Sequence, residues 1–348
     1  MSSATTKSLR SKLLARSGRL GLLIVALVCA AVWSLTVGSS ALSLSDLWGA
    51  LHAPMGEERA SIIVWQVRLP RLLAGLAAGA CFAVAGGMAQ AITNNPLADP
   101  GLLGVNSGAA FAVVIVLTLT GGMAAQEFVW IAFLGAALTA ALVYLLGSIG
   151  RGGANPLKLV LAGVIIGSFL ISITSGILMI DGQTLEKVRF WTIGSLRNRS
   201  LPDVVPLLPF CGAGLIAALL CARQVTALSL GADIAAGLGQ NIALWRGLCL
   251  AIIVVLAGSA VSVAGPLGFV GLVVPHMVRL SSGSDYRWIL PLSAVGGALL
   301  VTLGDVLPRA LWDKDIPVGV MMSVIGAPFF IMLARGRTRA GRDGATVT

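Results

Sequence analysis

The chain contains nine long runs without a charged residue, and these runs constrain its fold more than any other feature. A helix needs about 20 apolar residues to cross the hydrocarbon core of a membrane. Most of the runs therefore predict one transmembrane helix each. The runs cover residues 20–45, 72–98, 100–126, 128–150, 159–180, 204–222, 247–278, 288–304 and 316–334.

The run 247–278 is too long for a single span. As a straight helix it would reach about 48 Å at 1.5 Å per residue. Gly265-Pro266 interrupts it, and this pair predicts a break between a helix over 247–264 and a shorter segment that ends near Arg279. The total is ten transmembrane helices.

Both ends of the chain are basic, which supports an even number of crossings. Lysine and arginine prefer the cytoplasmic side, so two basic ends place both termini there. The predicted organisation is a basic cytoplasmic segment over 1–19, a ten-helix domain over 20–335 and a basic cytoplasmic tail over 336–348. A cleavable signal peptide is the alternative for the first run, but no clear small-residue cleavage site follows it.

Composition agrees with an all-α polytopic membrane protein. Hydrophobic residues make up 57% of the chain and charged residues 11%, against roughly 45–50% and about 25% in soluble domains. The net charge of +10 fits membrane anchoring better than nucleic-acid binding. The cysteines lie in apolar stretches without a CxxC pair, so we expect buried thiols, with neither disulfides nor a metal site. They are Cys29, Cys81, Cys211, Cys221 and Cys249.

Nine basic residues fall on the predicted outer side, against fifteen inside. Such a cluster on an exported face suggests an acidic partner there, and ordinary contact with lipid headgroups is the alternative. The nine are Arg59, Arg68, Arg71, Lys187, Arg189, Arg197, Arg199, Arg309 and Lys314.

Small residues recur at helical spacing. Gly75, Gly79, Ala83 and Gly87 fall every four residues, and Gly163 with Gly167 repeats the pattern. Small residues at this spacing let helix backbones approach closely in a membrane. The pattern predicts a crowded bundle.

Sequence signatures of catalysis are absent. There is no GxxxxGK[ST] loop for a nucleotide triphosphate, and no HExxH, GxSxG or paired-carboxylate signature lies in a span. Ion-coupled carriers place ionisable residues at mid-membrane, whereas Asp305 is expected only near the end of the ninth helix. We predict no catalytic residue, and we expect the energy for any uphill transport to come from another molecule.

Five strings occur in a fixed order along the chain. They are RLPR at 68–71, NPLADP at 95–100, FWTIGSL at 190–196, FVGLVVPH at 269–276 and IGAPFF at 325–330. From about residue 60 to 335 their order and spacing resemble the permease family of binding-protein-dependent ABC importers for iron-siderophores, haem and vitamin B12. The independent count of ten helices agrees with this resemblance.

The resemblance implies a division of labour. Two permease subunits, identical or paralogous, form a pathway between them in the bacterial inner membrane. A periplasmic or lipid-anchored binding protein delivers the ligand, and two cytoplasmic ATPase subunits hold ATP and Mg²⁺. This chain then needs no cofactor, metal or nucleic acid of its own. The expected cargo is a ferric siderophore, because that branch is broadest, with haem or vitamin B12 as alternatives.

The resemblance also implies roles for particular residues. Arg68, Arg71 and Arg309 match positions that meet glutamates on the binding protein, as rim charges; arginines that only anchor helix ends are the alternative. Lys187, Arg189, Arg197 and Arg199 are expected to assist or to meet an anionic ligand.

The stretch LSLGADIAAGLGQ at 228–240 resembles the family's coupling segment, placed here at 223–242, which inserts into the ATPase. Ser229 and Asp233 are candidate helix caps, and a plain connecting loop is the alternative. An apolar face is expected from Leu230, Ile234, Ala235 and Leu238. The residues assigned to coupling are Ser229, Leu230, Gly231, Asp233, Ala236, Leu238 and Gly239.

Two turns and one helix face match the family's gate and pathway. The turns contain Asn94, Asn95 and Leu97, and Asn155; proline and asparagine there also have a structural role. Ser168, Ser172 and Ser175 form a hydroxyl stripe expected to face the pathway, and hydrogen bonds back to their own helix are the alternative.

The remaining motif residues are assigned to structure. His276 is expected to bond at a helix end, with no catalytic role. The set is Pro275, His276, Arg279, Pro317, Gly319, Gly326 and Pro328.

Two further classes of function compete with the importer. An ion-coupled secondary carrier is disfavoured by the shortage of ionisable residues in the spans. A membrane scaffold without transport is the other.

Overall fold

The computed structural model describes residues 3–343 apart from 39, 55, 123, 150–155 and 313. Its first half contains helices α1 Ser3–Thr36, α2 Leu44–His52, α3 Arg59–Thr93, α4 Val105–Thr120, α5 Ala125–Ser148, α6 Pro156–Ile180 and α7 Gly182–Thr192. Its second half contains α8 Leu201–Leu220, α9 Ala222–Leu228, α10 Ala232–Gly237, α11 Ile242–Ala264, α12 Val270–Ser282, α13 Tyr286–Trp312 and α14 Val318–Asp343. A 3₁₀ turn covers Pro100–Leu103.

Local sequence explains several helix limits. Ser43 forms a capping box with Asp46 before α2, and the side chains of Asp181 and Asn241 accept backbone hydrogen bonds at the starts of α7 and α11. Helix α3 ends at Asn94, whose left-handed conformation (φ 49°) closes the last turn. These hydrogen bonds pair backbone groups at the helix ends that have no partner within the helix.

Helix α3 forms the centre of the bundle. In the apolar 18-residue stretch of α3, 83% of the residues are buried, against 17% in the corresponding stretch of α1 and 22% in that of α6. Helices α11, α12 and α13 pack around α3, while α1 and α6 lie at the periphery.

The expected close packing of small residues is confirmed. A Cβ added at Gly79 would collide with the backbone of Gly297 on α13, and one added at Gly297 would collide with Gly79. A Cβ added at Gly86 would likewise collide with the backbone of Gly271 on α12, and one added at Gly271 would contact the carbonyl of Phe82 on α3. The helices approach this closely only because neither partner has a side chain.

An all-α polytopic membrane fold is confirmed. Seven of the described helices, α1, α3, α5, α6, α8, α11 and α13, are long and apolar enough to cross a membrane. Helix α4 and the apolar part of α14, Val318–Met332, are shorter. Each of the ten predicted spans overlaps one of the described helices, and the number of crossings stays a prediction.

Several predicted limits were wrong. The second predicted span begins at 72, but α3 begins at Arg59, so Arg68 and Arg71 lie inside it. The ninth was predicted to end at 304, but α13 continues to Trp312 and includes Asp305 and Arg309. Charges were taken as helix limits; these two helices continue through them because the charges are paired or hydrogen-bonded.

One thiol also differs from expectation. Cys81, Cys211, Cys221 and Cys249 are buried, but Cys29 is exposed. It lies on peripheral helix α1, which leaves part of its apolar surface uncovered.

Candidate functional site

One end of the bundle carries a cluster of paired charges, here called the arginine end. Its centre is Asp305, whose side chain is 4% exposed. Arg71 donates to both oxygens of Asp305, from Nε at 3.0 Å and from Nη2 at 2.7 Å. Arg309, one turn further along α13, donates to the same carboxylate at 2.8 Å. One buried carboxylate therefore holds two arginines from two helices.

A second carboxylate extends the cluster towards the surface. Asp315, in the loop before α14, accepts from Arg71 at 2.5 Å and pairs with Arg197 at 2.7 Å. Burial alone would raise the pKa of Asp315, but the hydrogen bond from Arg71 and the charges of Arg71, Arg197 and Arg309 lower it overall. The carboxylate is therefore ionised at neutral pH and joins loop 193–200 to loop 314–317.

Arg68 was expected as a rim charge, but its side chain is mostly buried. Arg68 is the last residue of the π-helical turn Ile63–Arg68 of α3. It is 5% exposed, and its guanidinium donates to the carbonyls of Leu35, at 2.7 Å, and Ser40. Arg68 holds the end of α1 against α3.

A cavity of about 310 Å³ lies over this cluster. Arg68, Arg71, Arg309, Lys314 and Asp315 contribute to its lining. The paired arginines can take another carboxylate only by sharing or exchanging Asp315, because Asp305 is enclosed. Docking by Arg68, Arg71 and Arg309 stays a prediction.

The opposite end of the bundle carries α9 and α10, which form the predicted coupling segment. Leu230, Ile234 and Leu238 are 53%, 54% and 65% exposed, whereas Ala235 is fully buried against the bundle. Leu230 lies in the turn before α10, Ile234 within α10 and Leu238 directly after it. These three large apolar side chains are exposed, and Ala235 does not belong to that face. Coupling itself stays a prediction.

The predicted caps in this segment were wrong. Helix α10 is preceded by Gly231 (φ 109°), with no side-chain cap. Ser229 donates back to the carbonyl of Thr226 at 2.7 Å, and Asp233 lies within the first turn of α10, where its charge favours the helix dipole. Gly231 and Gly239 (φ 81°) supply the two reversals instead. Ala236 lies exposed on the same helix.

The turn after α3 has the structural role predicted for asparagine. Asn95 Oδ1 accepts from the backbone N–H of Leu97 at 3.0 Å, and Asn94 donates to the carbonyl of Leu228 in α9 at 3.4 Å. This contact links the turn to the coupling segment. Asn155 lies outside the described residues, and gating stays a prediction.

The serine stripe lies on an uncovered face of α6. Ser168, Ser172 and Ser175 are all exposed, beside Ile165 and Phe169 at 67% and 64%. Ser172 also donates to the carbonyl of Ser168 at 2.9 Å. The alternative holds for one hydroxyl, which bonds to its own helix, and a pathway role for the exposed stripe stays a prediction.

The glycines of the C-terminal motifs mark close approaches. Gly319 donates to the carbonyl of Gly194 at 2.9 Å, and Pro317 leads the chain into this contact. A Cβ at Gly319 would collide with the backbone of Ile193, and one at Gly326 with the ring of Phe269. Phe269 has φ 67°, a conformation rare for an aromatic residue.

Pro275 and Pro328 lie inside helices α12 and α14. His276 was expected at a helix end, but it lies within α12, and its ring is edge-on to Phe329 of α14, with centroids 5.8 Å apart. The helix continues to Ser282 beyond the position assumed for its end.

Arg279 joins three helices through a polar network that the sequence did not predict. It donates to Gln90 Oε1 at 2.8 Å and to the Tyr286 hydroxyl at 3.1 Å. Gln90 in turn donates to the carbonyl of Gly271 at 3.2 Å.

The roles of Asp305 and Asp315 were also missed in the sequence. The four-residue spacing of Asp305 and Arg309 was the available signal, but Arg71 and Asp305 are 234 positions apart.

Comparisons with known proteins are consistent along most of the chain. A model of the FecCD transport family matches residues 23–336. The chain is 40% identical over 314 residues to the Bacillus subtilis (strain 168) protein named "Probable siderophore transport system permease protein", covering 90% of this chain and 94% of that one. It is 40% identical to the ferric enterobactin transport system permease protein of Escherichia coli (strain K12), covering 92% and 95%.

A solved structure has the same fold. A metal-chelate type ABC transporter in an inward-facing conformation superposes with a TM-score of 0.80 at 29% identity, over 92% of this chain and 99% of that one.

Proposed function

Because the chain belongs to the FecCD transport family, we propose that it is the membrane-spanning permease subunit of an ABC importer for ferric siderophores. It is a multi-pass protein of the bacterial inner membrane. The observation that carries the proposal is the 40% identity, over nearly the whole length of both chains, to a ferric enterobactin permease. The paired charges at the arginine end and the exposed apolar residues of α10 supply two surfaces that such a subunit needs.

The proposed orientation has ten membrane helices with both termini in the cytoplasm. The arginine end then faces outwards, and α9 and α10 face the cytoplasm. An odd number of crossings would put one basic terminus on the outer side, against the usual preference.

The proposed outer partner is a substrate-binding protein with acidic docking residues. Arg68, Arg71 and Arg309 line the cavity of about 310 Å³, and Arg197 is joined to its edge through an ion pair with Asp315. Charges at such a surface steer and orient association, and salt weakens their effect. Asp315 fills the place that a partner carboxylate would take.

The proposed inner partners are two ATPase subunits that hold ATP and Mg²⁺. Leu230, Ile234 and Leu238, on α10 and the turns that flank it, form the apolar contact with a groove of the ATPase. The proposed lateral partner is a second permease, identical or paralogous. Helix α6 presents the uncovered face with Ser168, Ser172, Ser175 and Phe169, which suits a pathway between two subunits.

Uptake measurements separate this function from an ion-coupled carrier. Cells that express the chain with its partners are given a radioiron-labelled ferric siderophore. We expect uptake to continue when an uncoupler removes the proton gradient but ATP is maintained, and to stop when ATP is depleted. The opposite pattern would exclude the ATP-driven importer.

A further inference from the structure

A second cavity at the arginine end, of about 400 Å³, lies between the start of α5, helix α7 and loop 193–200. Its charged lining comprises Lys187, Arg197 and Arg199 against one carboxylate, Glu186. Its volume falls in the range of roughly 300–1,000 Å³ in which proteins hold small molecules. The balance of charge favours an anion.

The three cations are not equally engaged. Arg197 pairs with Asp315 at 2.7 Å, and Lys187 donates one hydrogen bond, to the carbonyl of Gly121 at 2.7 Å. Arg199 forms no ion pair within the part of the chain that the structure describes. The charge of Asp203 acts on Arg199, but that carboxylate accepts from the N–H and the hydroxyl of Ser200, at 3.0 and 2.7 Å.

Two buried donors of the lining have no acceptor among the described residues. They are Nε1 of Trp191, a residue only 4% exposed, and Nε of Arg199. A buried donor without a partner destabilises the protein, because it has lost its hydrogen bonds to water. Burial lowers the pKa of Arg199, which is the cost of enclosing a charge without a close partner. A negatively charged group bound beside Arg199 reduces the cost of enclosing that charge.

The apolar part of the lining indicates what carries that charge. The rings of Phe128 and Phe190 line the same cavity, and the guanidinium of Arg197 lies 5.3 Å from the centroid of Phe190. Aromatic rings pack against the carbon skeleton of an organic anion, whereas an inorganic anion has no such skeleton to contact them. A planar carboxylate also matches the two parallel N–H bonds of a guanidinium.

We propose that this cavity binds a small organic anion through its carboxylate groups, with Arg199, Trp191 and Lys187 as donors. The cavity is separate from the docking cluster around Asp305, although Arg197 borders both. If the proposed function holds, the anion is a carboxylate-bearing iron chelate on its way into the pathway. The binding itself needs neither ATP nor the binding protein, so it can be measured without them.

The experiment uses the full-length protein in detergent and citrate as the probe, with binding followed by isothermal titration calorimetry. We expect saturable binding by the wild type. Arg199→Gln removes a charge-assisted hydrogen bond and should weaken binding at least roughly tenfold. Trp191→Phe keeps an aromatic ring but removes the indole N–H, a neutral donor, which should weaken binding by roughly fivefold. Arg59→Gln removes a charge at the same end outside the cavity and should leave binding unchanged.

Two further measurements keep the proposal testable. Arg199→Lys keeps the positive charge. If Arg199→Gln binds citrate weakly because it lacks that charge, and not because it misfolds, Arg199→Lys should bind citrate more tightly than Arg199→Gln. Phosphate is added as a competitor, and we expect it to displace citrate only weakly.

Absence of saturable citrate binding by the wild type would overturn the proposal, as would equal affinity in Arg199→Gln, Trp191→Phe and the wild type. Phosphate competing as well as citrate would exclude an organic-anion site. None of these results bears on ATP-dependent uptake, so the proposed function fails or stands by its own measurement.

Discussion

Asp305 shows how a charged residue can lie inside a membrane helix. Its carboxylate is enclosed, and Arg71 and Arg309 both donate to it. Desolvation of the three charges is offset by hydrogen bonds and mutual attraction only while all of them are present. The arrangement also explains why α3 and α13 extend past their charged residues.

Replacing Asp305 by asparagine should destabilise the fold by about 3 kcal/mol, because two buried arginines then lack a counter-charge. Thermal unfolding in detergent measures the loss. Asp285→Asn is the matched control: its pair with Arg287, whose side chain is 58% exposed, is worth at most about 1 kcal/mol. Equal midpoints for the two variants would contradict the central role of Asp305.

Replacing Asp315 by asparagine should have a different effect, since it releases Arg71 and Arg197 towards the surface. We expect the binding protein to dock two- to fivefold more tightly, an effect of about 1 kcal/mol or less, and the gain should shrink in high salt. Surface plasmon resonance at two salt concentrations measures this.

Glu58→Gln removes an exposed acid at the same end and serves as the control for Asp315→Asn. Weaker docking by Asp315→Asn would show that the carboxylate supports the docking surface and does not compete for it.

The residues of the site could be predicted only where a local motif marked them. Arg71 and Gly326 lie in such motifs, Arg309 and Gly319 match positions of the same family, and each makes a specific contact. Asp315 was assigned no role, and Trp191 was noticed only as part of a string. Their partners lie far away in the chain, and patterns of sequence spacing relate only residues that are close together in it.

Among the elements, the close packing of α3 was predictable from the four-residue spacing of its small residues, but its partner helix α13 was not. Gly79 was expected to permit close packing, and its partner Gly297 faces it backbone to backbone. Helix limits were less predictable because charged residues were assumed to end helices. The short helices α2, α9 and α10 have too few residues for a periodic pattern to define them.

Gly79→Ala tests the crossing. The new methyl group would lie 2.9 Å from Ala298 Cα and closer still to the Gly297 carbonyl, so we expect a loss of about 1–3 kcal/mol in thermal stability. Gly212→Ala in α8 has nothing within 4 Å and should gain up to about 1 kcal/mol from helix propensity. The two variants should shift the midpoint in opposite directions; the same sign for both would refute the close contact.

The coupling segment offers a test at the same scale. Changing Leu230, Ile234 and Leu238 together to serine should abolish copurification of the ATPase, since the three side chains supply the exposed apolar face. A control changes Leu244 and Leu280, which are 63% and 76% exposed, and should leave copurification intact. An unchanged ATPase ratio in the triple variant would assign the contact elsewhere.

The whole molecule presents different surfaces at its two ends and on its sides. The arginine end is charged and internally paired, the opposite end presents apolar residues on α10, and α6 is largely uncovered. The sequence predicted the membrane fold because charge-free runs can be read locally. It could not predict which helix is central, because that depends on contacts between distant glycines.

The central claim is that this chain conducts its cargo but does not supply the energy. Purified protein in vesicles, offered a labelled ferric siderophore, should accumulate none, whether or not a proton gradient is imposed. Adding the ATPase, the binding protein and ATP should start accumulation. Accumulation by the chain alone would contradict the account.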